Sequence, residues 1–427
     1  MRRSLIRSLV PALPLGAVAL ALAACSSSGA DGSAATVFEG ARVIVGDGSA
    51  PIEDAVFVVE GGRFTQVGPR GEVEAPRGAA LVDLAGRTVI PAIVNTHVHL
   101  ASGRDERLAQ LRHMAYYGAG VAVSLGQDEG DAPFAMREEE LPGAARSLTA
   151  GRGITSPEPG RSEAPNWVTT AAEARAAVQE LAQQRVDLVK IWVDDRNGQY
   201  EKLSPELSGA VIEEAHRHGL RVTAHVFSLE DAKGLLRAGI DAFAHGIRDR
   251  DVDDELVSLW RERSHVVLVP NLPDPGVASD LSWLDGTVPA DELRQMQERS
   301  TDRPETQATF GIQARNLARL AAAGIPVAFG TDGSTAWAVH QEMEDMVRSG
   351  MSPADVIAAA TLESARLVGL DAELGTVSAG KSADFVVLDA NPLDDITNTR
   401  RISAVYLRGY ALDREALGAQ LRGTTAP

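Results

Sequence analysis

The 427-residue chain has a single cysteine, Cys25, so no intramolecular disulfide can form and an oxidising compartment would leave the fold untouched. It has no confident membrane-spanning run: the apolar stretch 9–24 is short and is broken by Pro11 and Pro14. It also lacks excess positive charge. Forty-one Lys and Arg stand against 59 Asp and Glu, a formal charge of −18. A body this acidic excludes nucleic acid and anionic membrane surfaces as partners bound through charge. No internal repeat stands out.

Arg2, Arg3 and Arg7 precede the apolar stretch, and Leu22-Ala23-Ala24-Cys25 closes it. That order is an export signal, and its end resembles the lipobox of bacterial lipoproteins, whose cysteine is lipidated and becomes the mature N-terminus. Residues 1–25 are therefore expected to be a lipoprotein signal peptide, with the protein exported and anchored to the cell envelope through Cys25. Arg2-Arg3-Ser4-Leu5-Ile6 loosely resembles a twin-arginine signal. Residues 26–36, SSSGADGSAAT, read as a flexible linker.

From residue 37 short alternating strands and turn signals follow one another, including Asp47-Gly48 and Gly61-Gly62, and a similar pattern returns in GTVSAGKSADFVVLDA and ISAVYLRGYAL. The two β-rich pieces, 37–90 and 373–421, are expected to form one composite β-sandwich. Between them, over 91–372, strands alternate with helices. Candidate strands cover 93–99, 121–125, 147–151, 186–193, 221–226, 242–245, 266–269 and 327–330. Intervening segments such as AAEARAAVQELAQQ and SPELSGAVIEEAHRHG are helical in pattern, the latter ending on Gly219. Continuous Val/Ile-rich strands belong to parallel sheets buried on both faces. Eight strand–helix units argue for an α/β fold of the (β/α)8 TIM-barrel type, with a doubly wound sheet as the alternative.

The chemistry-bearing residues lie at the ends of these strands. In VNTHVHL, His97 and His99 are two apart and share a strand face. In DLVKIWV, Lys190 falls inside an apolar run, where burial drives its pKa down unless an ion pair to Asp194 or Asp195 compensates. A neutral buried amine can take up carbon dioxide and become an anionic carbamate, able to bridge two cations. RVTAHVF supplies His225, DAFAHGI supplies His245 and PVAFGTDG supplies Asp332. Four histidines, a buried lysine and an aspartate on one barrel rim suit two borderline cations such as Zn²⁺.

With IPAIVNTHVHL, DLVKIWV, AHVFSLEDAKGLLRAGIDAFAHG, FGTDG and LGTVSAGKSADFVVLDANPL, essentially the whole mature chain resembles the amidohydrolase superfamily. The resemblance is to its two-metal form, in the imidazolonepropionase-like and prolidase-like branch. It implies that His97, His99 and Asp332 hold one divalent cation and that His225 and His245 hold the other. Lys190, N6-carboxylated, would bridge them. It further implies hydrolysis of an amide-type C–N bond by a hydroxide shared between the cations, with Asp332 as general base and then acid. Ala92 and Asn95 depart from the glycine and aspartate usual in the family. Imidazolonepropionase and many deaminases of the superfamily use one metal and no carboxylated lysine, so Lys190 argues against those activities.

Two further residues are candidate substrate contacts: Arg248, three residues past His245, for a carboxylate, and His340, near the start of the last barrel helix. His113, His216 and His218 read as structural or solvated, and His265 lies at the opposite end of its strand. The expected substrate is a dipeptide, an X-Pro peptide or an N-acyl amino acid. A cyclic amide or lactone is the enzymatic alternative, and a non-catalytic binding lipoprotein is the other. Homo-oligomerisation is compatible with the sequence. The loops 126–146, 152–169 and 271–300 carry no pattern that converts to chemistry.

Overall fold

The computed structural model describes residues 35–423, so the signal segment, Cys25 and most of the linker lie outside the described residues. Among the described residues no helix is long and apolar enough to cross a membrane.

Seven parallel strands and one bridge segment close a barrel. The strands are Ile93–Val98, Ala119–Ser124, Arg146–Thr149, Val189–Val193, Val222–Val226, Ala242–Ala244 and Val267–Val269. The first three pair in order, as do the last four. The third and fourth are joined by the Asp187 amide donating to the Thr149 carbonyl at 2.9 Å. Their residues are buried on both faces, as the near-continuous Val, Ile and Ala composition requires.

The eighth segment departs from expectation. Residues 327–330 form a single parallel bridge, Leu268 to Val327, instead of a regular strand. Pro326 has no amide to donate to a ladder, and closure relies on separate hydrogen bonds. Leu268 N donates to Pro326 O at 2.9 Å, and Thr96 N donates to Phe329 O at 2.9 Å. Gly330 is needed here: a Cβ would lie 2.7 Å from His97 Cβ and 2.9 Å from Asn271 Nδ2.

The outer helices begin and end where the sequence signals say. Ala171–Gln183 starts on a capping box in which Thr170 and Glu173 satisfy each other's backbone amides. Pro205–Arg217 is capped by Ser204 and stops before Gly219, which takes a left-handed φ of 71°.

The two ends of the chain build one further sheet. Its order is Tyr410–Ala411, Ile402–Leu407, Phe385–Leu388, Thr88–Pro91, Thr36–Val43, Ile52–Glu60 and Arg63–Pro69. Thr36–Val43 pairs with Ala80–Asp83 along its first half and with Thr88–Pro91 along its second, so the sheet divides and folds over its own core. Thr36, assigned to the linker by sequence, already belongs to this strand. Aromatic side chains are scarce in the chain, yet Phe38, Phe57, Phe64, Phe385 and Tyr406 meet in this core. Phe38 stacks on Phe57 at 4.8 Å, and Phe385 stacks on Tyr406 at 4.5 Å. The Gly61-Gly62 hairpin has both residues left-handed, and a Cβ on Gly62 would meet the Arg408 carbonyl at 2.8 Å.

Candidate active site

At the carboxyl ends of the barrel strands a cavity of about 460 Å³ opens; its walls include His225, His245, Asn271, Asp332 and Arg248. Five of the eight non-glycine residues with positive φ among the described residues line it: Arg196, Asn197, His245, Asn271 and Asp332. Left-handed backbone costs of order 1 kcal/mol or more per residue and persists where surrounding contacts enforce it, most often at functional sites.

Asp332 is the point of convergence. His99 Nε2 lies 3.0 Å and His97 Nε2 3.2 Å from its Oδ1, and His245 Nε2 lies 3.6 Å from its Oδ2. Burial alone would raise the Asp332 pKa, but the three imidazoles outweigh it and hold the carboxyl ionised. His97 and His245 are driven well below the ordinary histidine range, first by burial and next by neighbouring positive charge. They are neutral, the form a metal ligand needs.

The orientation of these groups has identifiable causes. His97 Nδ1 meets Asn271 Oδ1 at 2.8 Å, which turns Nε2 toward Asp332. The same Asn271 oxygen accepts from the His245 amide at 3.3 Å. Asn95 ties the loop bearing Asp332 to the first strand: its Nδ2 donates to Thr331 Oγ1 at 2.9 Å and its Oδ1 accepts from Thr331 N at 3.2 Å. Glu342 accepts the Leu272 amide at 3.1 Å and so braces the loop that carries Asn271.

Lys190 is fully buried, and its Nζ hydrogen-bonds to no described residue. Burial takes its pKa down to about 7, against the opposing pull of Asp332. Its Nζ lies over the Trp192 ring, 5.5 Å from the centroid. Gly126 and Gly153 make room for that indole, since a Cβ on either would fall within 2.5 Å and 2.3 Å of it respectively. The ion pair from Lys190 to Asp194 or Asp195 weighed from sequence is not formed. Asp194 instead bonds Arg196 at 2.7 Å and His225 at 3.1 Å.

The structure therefore gathers His97, His99, His245, Asp332, Lys190 and His225 at one mouth, with one difference in grouping. The donor atoms of His97, His245 and Asp332 all lie within 4.8 Å of one another, while His225 turns its Nε2 toward Asp194. Imidazole nitrogen and carboxylate oxygen suit a borderline divalent cation. His245 Nε2 and Lys190 Nζ are buried without a hydrogen-bond partner among the described residues, and buried polar atoms are rarely left so unless something else satisfies them. The residues fit a metal centre.

Arg248 also reaches this cavity. Its guanidinium lies over the Phe227 ring, 3.2 Å from the centroid, and forms no ion pair among the described residues. His340 does not reach it. That side chain is 1% exposed, donates or accepts at Thr399 Oγ1 3.1 Å away, and packs against Tyr117 and Trp283 behind the barrel helix. The expectation of a substrate contact there is corrected: the helix turns residue 340 inward. Sequence reasoning missed Asn271, Arg196 and Glu158, which lie in loops without a readable pattern. It weighed Asp194 only as a partner for Lys190, although its place directly after that strand was a usable signal.

A closed (β/α)8 barrel with histidines and an aspartate converging at its carboxyl mouth is an arrangement suited to a metal-dependent hydrolase. Residues 118–412 match the Amidohydrolase family, and the chain belongs to it. It is 30% identical over 306 residues to an uncharacterized protein of Mycobacterium tuberculosis, covering 66% of this chain and 75% of that one. It is 27% identical to the imidazolonepropionase of Deinococcus radiodurans, covering 84% of this chain and 92% of the other. Its fold matches the crystal structure of a candidate prolidase from Bifidobacterium longum with a TM-score of 0.74 and 27% identity, over 91% of this chain and 99% of that one. The protein is a hydrolase of carbon–nitrogen bonds.

Proposed function

We propose that the protein hydrolyses the amide bond of a linear substrate bearing a free carboxylate, a dipeptide, X-Pro peptide or N-acyl amino acid. The observation that carries this reading is Arg248, a guanidinium without an ion-pair partner among the described residues, held over the Phe227 ring in the cavity that contains the histidine–aspartate cluster. A planar guanidinium matches a carboxylate in two parallel hydrogen bonds.

His97, His99, His225, His245 and Asp332 would hold two divalent cations, with zinc the best match to the donor set, and Lys190 as its carbamate would bridge them. The low pKa of Lys190 supports this, because the free amine is the form that adds carbon dioxide, releasing one proton. When bound, the cations supply the Lewis acidity that polarises an amide carbonyl and acidifies a water. Asp332 accepts the proton of the attacking water at a carboxylate oxygen and delivers it to the leaving nitrogen. Arg248 holds the carboxylate and so fixes the distance from it to the scissile bond. Export and attachment to the envelope through a lipidated Cys25 complete the proposal.

The test is a panel of dipeptides, X-Pro peptides and N-acyl amino acids, each beside its C-terminal carboxamide, together with cyclic amides and lactones. Turnover confined to the free carboxylates, with KM raised and kcat little changed in Arg248→Met, is the expected result. Negligible turnover of every linear carboxylate would refute the reading, and turnover of the rings alone would replace it. Elemental analysis with and without bicarbonate is expected to give two ions per chain, reduced in Lys190→Ala.

A further inference from the structure

Two histidines of the site are anchored through opposite ring nitrogens. His97 gives Nδ1 to Asn271 and turns Nε2 toward Asp332 Oδ1, 3.2 Å away. His225 is the reverse: its Nε2 lies 3.1 Å from Asp194 Oδ2. An ionised carboxylate only accepts, so Nε2 carries the proton and Nδ1 keeps the lone pair. No described residue hydrogen-bonds to that Nδ1.

Asp194 is itself held by a chain of charges. The Arg196 amide donates to its Oδ1 at 3.0 Å and Arg196 Nη1 to its Oδ2 at 2.7 Å. Arg196 Nε donates to Glu158 Oε1 at 2.9 Å, and Arg161 Nη1 donates to the other oxygen of Glu158 at 2.6 Å. Glu158 is 2% exposed, a burial that a carboxylate tolerates only when both oxygens are satisfied. The turn that returns Arg196 over the strand end is left-handed at three successive residues, Arg196, Asn197 and Gly198, with φ of 53°, 60° and 80°. Neither Glu158 nor Arg161 lines the catalytic cavity. Their arrangement makes sense if its purpose is to keep one carboxylate oxygen on one imidazole.

There is a specific competitor. Arg196 Nη1 also lies 3.3 Å from His225 Nε2. Without the Asp194 carboxylate that N–H would have only the imidazole to bond, and Nε2 would become the acceptor. The ring proton would then sit on Nδ1, which would keep no lone pair for a cation.

We infer that Asp194, steadied by Arg196 and Glu158, is the positioning residue that sets the His225 tautomer and thereby decides whether the His225 side of the site can hold a cation. The inference rests on the reading of this mouth as a metal centre, but its first consequence is visible without metal. In the full-length chain stripped by a chelator, ¹⁵N histidine spectra should show His225, assigned by its loss in His225→Asn, as the Nε2–H tautomer. Asp194→Ala should convert it to Nδ1–H, and Asp194→Asn, whose amide oxygen can still accept, should restore it. Equilibrium dialysis against buffered Zn²⁺ should then show one of two ions weakened roughly 10- to 100-fold in Asp194→Ala and the other unchanged, with Asp194→Asn within a few-fold of the parent. An unchanged tautomer in Asp194→Ala would overturn the inference. So would retention of both affinities, or equal loss of both ions, which marks a general structural role. If the parent chain binds no Zn²⁺, the metal-centre reading fails while the tautomer result still decides the role of Asp194.

Discussion

His340 offers a quantitative test of how the barrel helix is packed. Its ring is buried between Tyr117 and Trp283, Nδ1 meets Thr399, and Nε2 has no described partner. Burial, reinforced by the positive charges of Arg400 and Arg414, lowers its pKa from the ordinary 6.5 to about 3. The sign follows from proton uptake. Below pH 6.5 the unfolded chain protonates this imidazole while the folded protein refuses the proton until about pH 3, so stability is full above 6.5 and falls as pH drops. The slope approaches about 1.4 kcal/mol per pH unit, and by pH 5 the loss from this one residue is about 2 kcal/mol relative to pH 8. Urea unfolding of chelator-treated protein, followed by circular dichroism at pH 8, 6.5 and 5, measures it. His340→Gln keeps a group able to meet Thr399 but cannot take up a proton. It is expected to be less stable than the parent at pH 8, through poorer packing, and to recover about 2 kcal/mol of that deficit by pH 5. A deficit independent of pH would show that His340 is not held neutral by burial, and the reasoning would fail.

Asp332→Asn should keep its fold, since asparagine tolerates the left-handed backbone at this position, and lose roughly 10²- to 10⁴-fold in turnover; near-parental turnover would remove Asp332 from proton transfer. Gly153→Ala places a Cβ 2.3 Å from the Trp192 ring and 3.0 Å from the Lys190 carbonyl. It should cost roughly 1–3 kcal/mol in urea unfolding, and an unchanged midpoint would mean that the indole moves freely. Asn271→Ala releases His97 Nδ1 and should weaken cation binding about 10- to 100-fold in competition with a chelating dye. Unaltered affinity there would show that the ring is oriented by packing alone.

Local features of the fold are legible in the order of residues itself. Strands such as VKIWV and VTAHV are runs of β-branched and apolar residues, and the residues at their ends inherit a direction from the strand. For that reason His97, His99, Lys190, His225, His245 and Asp332 can be gathered from sequence order, and the two β-rich termini can be assigned to one domain. The eighth barrel segment, with Pro326 beside it, has the composition of a strand but not its ladder, because hydrogen bonding to both neighbours is a property of the closed barrel.

Tertiary structure alone decided the rest. A helical residue such as His340 faces the cavity or the core according to a rotation that its own spacing does not record. The carboxylate that braces Arg196 beside Asp194 comes from residue 158 in a patternless loop, and the partner of His97 from residue 271, far along the chain. Whether Lys190 pairs with Asp194 was likewise settled by where other charges lie, because Arg196 and His225 claim Asp194 first. The candidate site residues can thus be read from local strand chemistry, while their protonation, tautomer and grouping depend on groups that only folding brings within hydrogen-bonding reach.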